Sequence, residues 1–120
     1  MGYQALIGLE TYDRGDGYSK SRITVGPDHM NPHGVVHGGI LYAMADTGMG
    51  AALYSKLRDD ESCATIEVKM VYMATVREGV VECETRLLNK GRRVAVLESE
   101  VRLGERLVAK ALGTFAIFEA

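Results

Sequence analysis

Two glycines and one acid concentrate the chemistry of this chain. Residues His37 to Tyr54 read HGGILYAMADTGMGAALY. The His37-Gly38-Gly39 step opens a long apolar run of helical composition, and Asp46 is the acid that interrupts it. Burying an ionised carboxylate is costly unless it is paired, hydrogen-bonded or chemically used. Glycines where a helix begins leave backbone N–H groups free to face a ligand, and the helix dipole favours negative charge there. A reaction that builds an oxyanion would use both features, the N–H groups to hold the oxygen and the acid two turns further along as base or nucleophile. The structural alternatives are an ion pair for Asp46 and a backbone carbonyl as partner for His37.

The elements around this stretch must position it. Pro27 to Val36, PDHMNPHGVV, reads as a loop, because two prolines and Gly34 deny it regular structure. It carries His29, Asn31 and His33 and delivers the chain to His37. A zinc site from His29, His33 and His37 would need a helix that the prolines break, so no metal site is expected. The helix is predicted from about Gly39 to Leu57. Tyr42, Ala43, Asp46, Met49, Gly50 and Leu53 share one face by spacing, and the opposite side is also apolar or small. A helix with no polar face is buried on most sides. Gly48 and Gly50 lower helix propensity, and close approach of a neighbour is their expected use.

Strand patterns lie on both sides. Met1 to Tyr12 suggests a short strand, Asp13 to Gly17 a turn, and Tyr18 to Val25 a strand. After the helix, Cys63 to Met73 alternates, with Ala64, Ile66, Val68, Met70 and Tyr72 on one face and Thr65, Glu67 and Lys69 on the other. Val80 to Leu88, Arg93 to Leu103 and Arg106 to Phe118 complete the set. Lys90-Gly91-Arg92 is a turn, and Gly104-Glu105 fits a two-residue hairpin. One domain of 120 residues with this order is α+β: an antiparallel sheet curled around one long central helix. The net charge of -2 argues against nucleic-acid binding. The acid and the glycines make the longest apolar run a poor membrane span. No signal peptide is apparent. Cys63 and Cys83 read as reduced thiols of a cytoplasmic protein.

The segment Asn31 to Asp46, NPHGVVHGGILYAMAD, resembles the hotdog-fold acyl-CoA thioesterases of the phenylacetic acid degradation type, whose pattern is roughly N-x-x-G-x-x-H-G-G followed by six variable residues and D. Every fixed position matches. The likeness continues through TIEVKMVYM and GRRVAVLE, from Ser21 onward. The acid is Asp, whereas hydroxybenzoyl-CoA thioesterases of one branch carry Glu on this helix. The resemblance implies roles position by position. The Gly38 amide forms the oxyanion hole, with Gly39 beside it. His37 orients the thioester or the loop, and Asn31 positions a water or the carbonyl. Asp46 is the catalytic carboxylate, and Thr65 helps hold the attacking water. Lys90, Gly91 and Arg92 would lie near the phosphates of coenzyme A, while a solvated hairpin is the default reading of this turn. It also implies an acyl-CoA substrate, no cofactor, and an active site shared across a dimer interface, with dimers pairing into tetramers. The residues leave two other functions open: a hotdog hydratase or dehydratase, and a non-catalytic acyl-CoA-binding module. For single residues the plainer roles also stay open, namely Asn31 as a turn brace and Thr65 as an ordinary strand residue.

Overall fold

A computed structural model describes residues 2–120. Its elements run α1 (Tyr3–Ile7), β1 (Glu10–Gly15), β2 (Tyr18–Thr24), a short 3-10 turn at Pro27–His29, α2 (Gly38–Tyr54), β3 (Glu61–Tyr72), β4 (Val80–Lys90), β5 (Val94–Leu103) and β6 (Arg106–Glu119). The six strands form one antiparallel sheet in the order β1-β2-β4-β5-β6-β3. The sheet curls around α2, as the order of elements predicts. β3 occupies one edge of the sheet although it precedes β4 in the chain.

The alternation of β4 and β5 dictates the core. Val81, Cys83 and Thr85 on β4, and Ala95, Leu97, Ser99 and Val101 on β5, are all buried towards α2. The helix answers with Ile40, Leu41, Ala43, Met44, Ala45, Met49, Ala52 and Leu53. Close approach rests on Gly48, where a Cβ would come within 2.6 Å of Thr85 Oγ1. Ser19 on β2 donates to the Gly48 carbonyl at 2.7 Å, and Ser99 donates to that of Ala45 at 3.2 Å. Gly50 has no such neighbour, its nearest contact for a Cβ being Phe115 at 4.0 Å, so the close-approach expectation holds for one glycine of the two.

Three sequence expectations are corrected. The first concerns the N-terminal segment. Tyr3–Ile7 is helical and ends at Gly8 in the left-handed region; Met1 lies outside the described residues. β1 then takes up most of the expected turn, and the reversal is confined to Asp16 and Gly17, both at positive φ. A two-residue turn with both φ positive matches the twist of a hairpin, and Asp-Gly suits it.

The second concerns α2, which starts at Gly38 and stops at Tyr54. Past that point the Ser55 hydroxyl donates to the Ala52 carbonyl at 2.7 Å and accepts from Gly17 N–H at 2.8 Å, which ties the helix end to the β1–β2 turn. The sheet also leaves one strip of the helix partly open, comprising Tyr42, Asp46, Thr47, Gly50, Ala51 and Tyr54. The expected shared face is thus divided between core and surface.

The third concerns β3. Its pairing with β6 sets Thr65 against Phe115 and Glu67 against Thr114, so Ile66 is a bulge, 57% exposed. A bulge inserts one residue and reverses the side-chain parity beyond it. Cys63 and Thr65 therefore face the helix along with Val68, Met70 and Tyr72, which pair with the buried side of β6. Ala64 and Ile66, read from strict alternation as inward, do not. The remaining strand ends move by one or two residues. Cys63 and Cys83 are free thiols, half-buried and buried. Among the described residues no helix is long and apolar enough to cross a membrane.

Candidate active site

The start of α2 is capped by its own histidine. His37 is the N-cap, and its Nδ1 accepts a hydrogen bond from Gly39 N–H at 2.8 Å. Ile40 N–H donates to the His37 carbonyl at 2.9 Å. An accepting Nδ1 carries no proton, so the neutral ring has its proton on Nε2. The expected bond from His37 to a backbone carbonyl is thus replaced by a cap. The Gly38 N–H has no partner among the described residues. Both glycines sit close to side chains. A Cβ on Gly39 would lie 2.9 Å from His37 Nδ1, and one on Gly38 would lie 3.2 Å from the Tyr72 ring. Tyr72 also donates its hydroxyl to the Gly38 carbonyl at 2.7 Å.

Two turns on, Thr65 Oγ1 donates to Asp46 Oδ1 at 2.7 Å. The burial expected for an acid on this apolar helix is not what the fold provides. Asp46 is half-exposed on the open strip of α2. It lines an open cleft of about 580 Å³ with Thr47, Gly50, Tyr54, Thr65 and Phe115. Gln4, Thr11 and Arg14 close the far side. No ion pair to Asp46 occurs among the described residues, so the structural alternative of a buried pair is not realised. Its second oxygen has no donor among the described residues, and the side chain lines the cleft.

The other expected residues are spread out. Asn31 folds on its own loop: Oδ1 accepts from His33 N–H at 2.9 Å and from Val35 N–H at 3.3 Å. His29 is buried, accepts from Gly26 N–H at 2.9 Å and donates through Nε2 to the Ile7 carbonyl, which binds the loop to α1. No cluster of three or more metal-ligating side chains occurs among the described residues. Lys90 lies 3.8 Å from Glu61, and Gly91 N–H closes the turn on the Val94 carbonyl at 2.8 Å. Arg92 lines a shallow groove of about 310 Å³ with Arg58, Arg93 and Phe118. This basic turn therefore sits at the Glu61 end of β3, the end nearer Asp46.

Within one chain Gly38 and Asp46 do not meet. Eight residues at 1.5 Å rise set them about 12 Å apart along the helix. β3 runs alongside, with Tyr72 at Gly38, Thr65 at Asp46 and Ser62 at Tyr54. Sequence reasoning missed Tyr72 and the Arg14 side of the cleft. Strict alternation gives Tyr72 no special partner, and a bulge at an ordinary isoleucine leaves no local signal.

The chain was compared with known proteins. The thioesterase superfamily matches residues 33–110. A conserved protein of Pseudomonas aeruginosa superposes with a TM-score of 0.95 at 41% identity, covering 98% of this chain and 94% of that one. The phenylacetic acid degradation protein of Thermus thermophilus, solved as a mutant, gives a TM-score of 0.87 at 29% identity over 94% of this chain and 96% of that one. A second Pseudomonas aeruginosa protein, provisionally named an esterase, is 34% identical over 72% of this chain and 66% of its own length. The chain thus spans just under two thirds of that relative.

Proposed function

The chain belongs to the thioesterase superfamily, and we propose that it hydrolyses an acyl-CoA to the free acid and coenzyme A. The observation that carries this reading is the pair of half-sites on α2: an unpartnered N–H at Gly38, and a carboxylate at Asp46 held by Thr65 with one oxygen free. Thioester hydrolysis needs both. Attack of water on the carbonyl builds negative charge on oxygen, which a fixed N–H at a helix N-terminus stabilises. Asp46 takes the proton of the attacking water, or attacks the carbonyl itself, displacing the thiolate to form a mixed anhydride that water then hydrolyses. Collapse breaks the C–S bond, and the departing thiolate is protonated to give the free thiol. The proposed steps draw on carboxylate, water and backbone N–H alone.

The separation of about 12 Å along α2 supports placing the halves in two copies. β3 is a 12-residue edge strand, and long uncovered edges invite pairing with another chain. An antiparallel pairing of β3 with β3 about a two-fold axis between Val68 and Lys69 sets Thr65 of one copy opposite Tyr72 of the other, because those residue numbers are then symmetric. Gly38 of the second copy, carried by its Tyr72, then approaches Asp46. In this reading each active site takes Asp46 and Thr65 from one subunit and Gly38, Gly39 and His37 from the other. Asn31 braces the loop that leads to His37, and Lys90, Gly91 and Arg92 lie where coenzyme A phosphates would pass. Dimers pair further into tetramers, and the chain works as one domain in the cytoplasm, where two free cysteines are stable.

The test is release of free thiol from a panel of short, medium and aromatic acyl-CoAs, with wild type beside Asp46→Ala. The expected result is turnover on at least one ester and its collapse in the variant, with fold and oligomer intact. Binding without turnover on every ester indicates the non-catalytic module, and hydration of an enoyl-CoA indicates the hydratase. In a single turnover in ¹⁸O-labelled water, label in the Asp46 side chain identifies it as the nucleophile, since only water attack on the Asp46 carbonyl of a mixed anhydride puts it there.

A further inference from the structure

The first turn of α2 poses a mechanical problem. Its N–H groups have no partners further back in the helix, and its two leading residues are glycines, the residues with most backbone freedom. A donor that wanders cannot be preorganised for an oxyanion. We propose that Tyr72 is the positioning residue that solves this: from the end of β3 it clamps the Gly38-Gly39 turn so that the Gly38 N–H keeps one direction. The proposal rests on the thioesterase reading and extends it to a residue outside the helix and its loop.

Two contacts carry the argument. The Tyr72 hydroxyl donates to the Gly38 carbonyl at 2.7 Å, fixing the peptide that joins the two glycines. Three atoms of the same phenol lie 3.2–3.3 Å from where a Gly38 Cβ would be, so the ring rests on the Gly38 backbone. The His37 cap holds the next amide, that of Gly39. Both hydrogen bonds therefore act on the one Gly38–Gly39 peptide, its carbonyl held from outside the helix and its N–H from within, and the ring packed on the Gly38 Cα limits rotation about the bond to the Gly38 N–H. Burial, and next the neighbouring Tyr42, push the Tyr72 phenol above its ordinary value, which keeps it a donor at neutral pH.

The bulge at Ile66 links this clamp to the carboxylate. Thr65 and Tyr72 are seven apart, an odd spacing that puts them on opposite faces of a regular strand. The extra residue restores a common face, and both reach α2. One edge strand thus orients the acid at one point and the oxyanion donor at another.

Tyr72→Phe keeps the ring and removes only the hydroxyl; Tyr42→Phe, which removes the neighbouring phenol, is the control. Two readouts are taken. The first is the ¹⁵N order parameter of Gly38 and Gly39, expected at about 0.85 in wild type and clearly lower in Tyr72→Phe. The second is the split of kinetic constants on the best acyl-CoA. A misplaced donor is expected to lower kcat about 10-fold and to leave KM within about twofold, because the donor acts on charge that exists only in the transition state. Tyr42→Phe should change neither readout. Unchanged glycine order parameters in Tyr72→Phe overturn the proposal whatever the activity. Lowered order with unchanged kcat, or a loss confined to KM, also overturns it. No turnover by wild type on any ester is a different failure: it removes the thioesterase reading and the kinetic part of this one, while the relaxation readout still decides whether Tyr72 holds the turn.

Discussion

If each active site is built from two copies, two inactive variants must rescue one another. The perturbations are Asp46→Ala, which removes the carboxylate, and Gly38→Pro, which removes the donor. Proline suits this position. Gly38 is the first helical residue, where proline is tolerated because its N–H makes no helical bond. His37 before it has φ -60° and ψ 134°, the extended conformation that proline requires of its predecessor. The Tyr72 ring must yield by a few tenths of an ångström. Each variant alone is expected to lose about 10²–10³ in kcat, the scale for removing one oxyanion donor or its partner chemistry. Equal amounts, unfolded and refolded together, give homodimers and heterodimers in the ratio of about 1:2:1 for a two-fold dimer. In the heterodimer one site takes Asp46 from the proline variant and Gly38 from the alanine variant, and is intact; the other carries both lesions. Half the dimers with half their sites working gives about a quarter of wild-type activity at equal total protein. The assay is thiol release from the best acyl-CoA, with differently tagged variants co-purified to prove mixing. A mixture that proves well mixed yet stays at the level of the single variants would refute the argument, because the site would then lie within one chain.

Three further outcomes follow from particular contacts. Thr65→Val removes the donor to Asp46, and a hydrogen bond to a charged group is worth about 1.5–3 kcal/mol; kcat/KM should fall at least about 10-fold and recover in Thr65→Ser, measured by thiol release. Gly48→Ala places a Cβ within 2.6 Å of Thr85 Oγ1, so urea unfolding should show a loss of about 1–3 kcal/mol, whereas Gly50→Ala, with open space, should be neutral or better. Burial pushes the Cys83 thiol from 9.0 up to about 11. Because the folded thiol holds its proton longer than the unfolded one, its contribution is intact below pH 9 and is lost as pH rises towards 11. Between pH 8 and 10.5 wild type should lose about 2 kcal/mol more than Cys83→Ala in denaturant melts.

Much of this fold is written in local patterns, and its departures have identifiable causes. β4 from Val81 to Leu87 and β5 from Ala95 to Val101 alternate as their residues predict, since each strand pairs on both sides and one face is buried. The hairpin at Gly104-Glu105 is also legible, from its glycine, and the helix start is read to within one residue, although the His37 cap is not. The N-terminal helix is not, because five residues are too few for a periodic signal. The open strip of α2 is hidden because Tyr42, Gly50 and Ala51 are compatible with burial, and only the reach of the sheet decides which side it covers. Asp46 and Gly38 can be picked out by type and spacing. Tyr72 cannot, because its partner is a backbone carbonyl 34 positions away.

The residue that defeats the alternation argument also explains why the site takes the form it does. A regular β3 would turn either Thr65 or Tyr72 away from α2. The acid would then lack its hydroxyl partner, or the glycine turn its clamp. Inserting Ile66 lets one strand serve both, but it leaves that isoleucine exposed, on an edge whose backbone groups are already open. An exposed apolar residue on a long edge strand is a liability unless another chain covers it. The carboxylate and the N–H that would use it are themselves held apart by the rigid helix they share. The exposed edge and the separated half-sites both fit the proposed second copy laid antiparallel along β3. Deleting Ile66 should abolish turnover, because a regular β3 turns Thr65 or Tyr72 away from α2, and should leave the edge able to pair, with activity and oligomeric state read on the same sample by thiol release and light scattering.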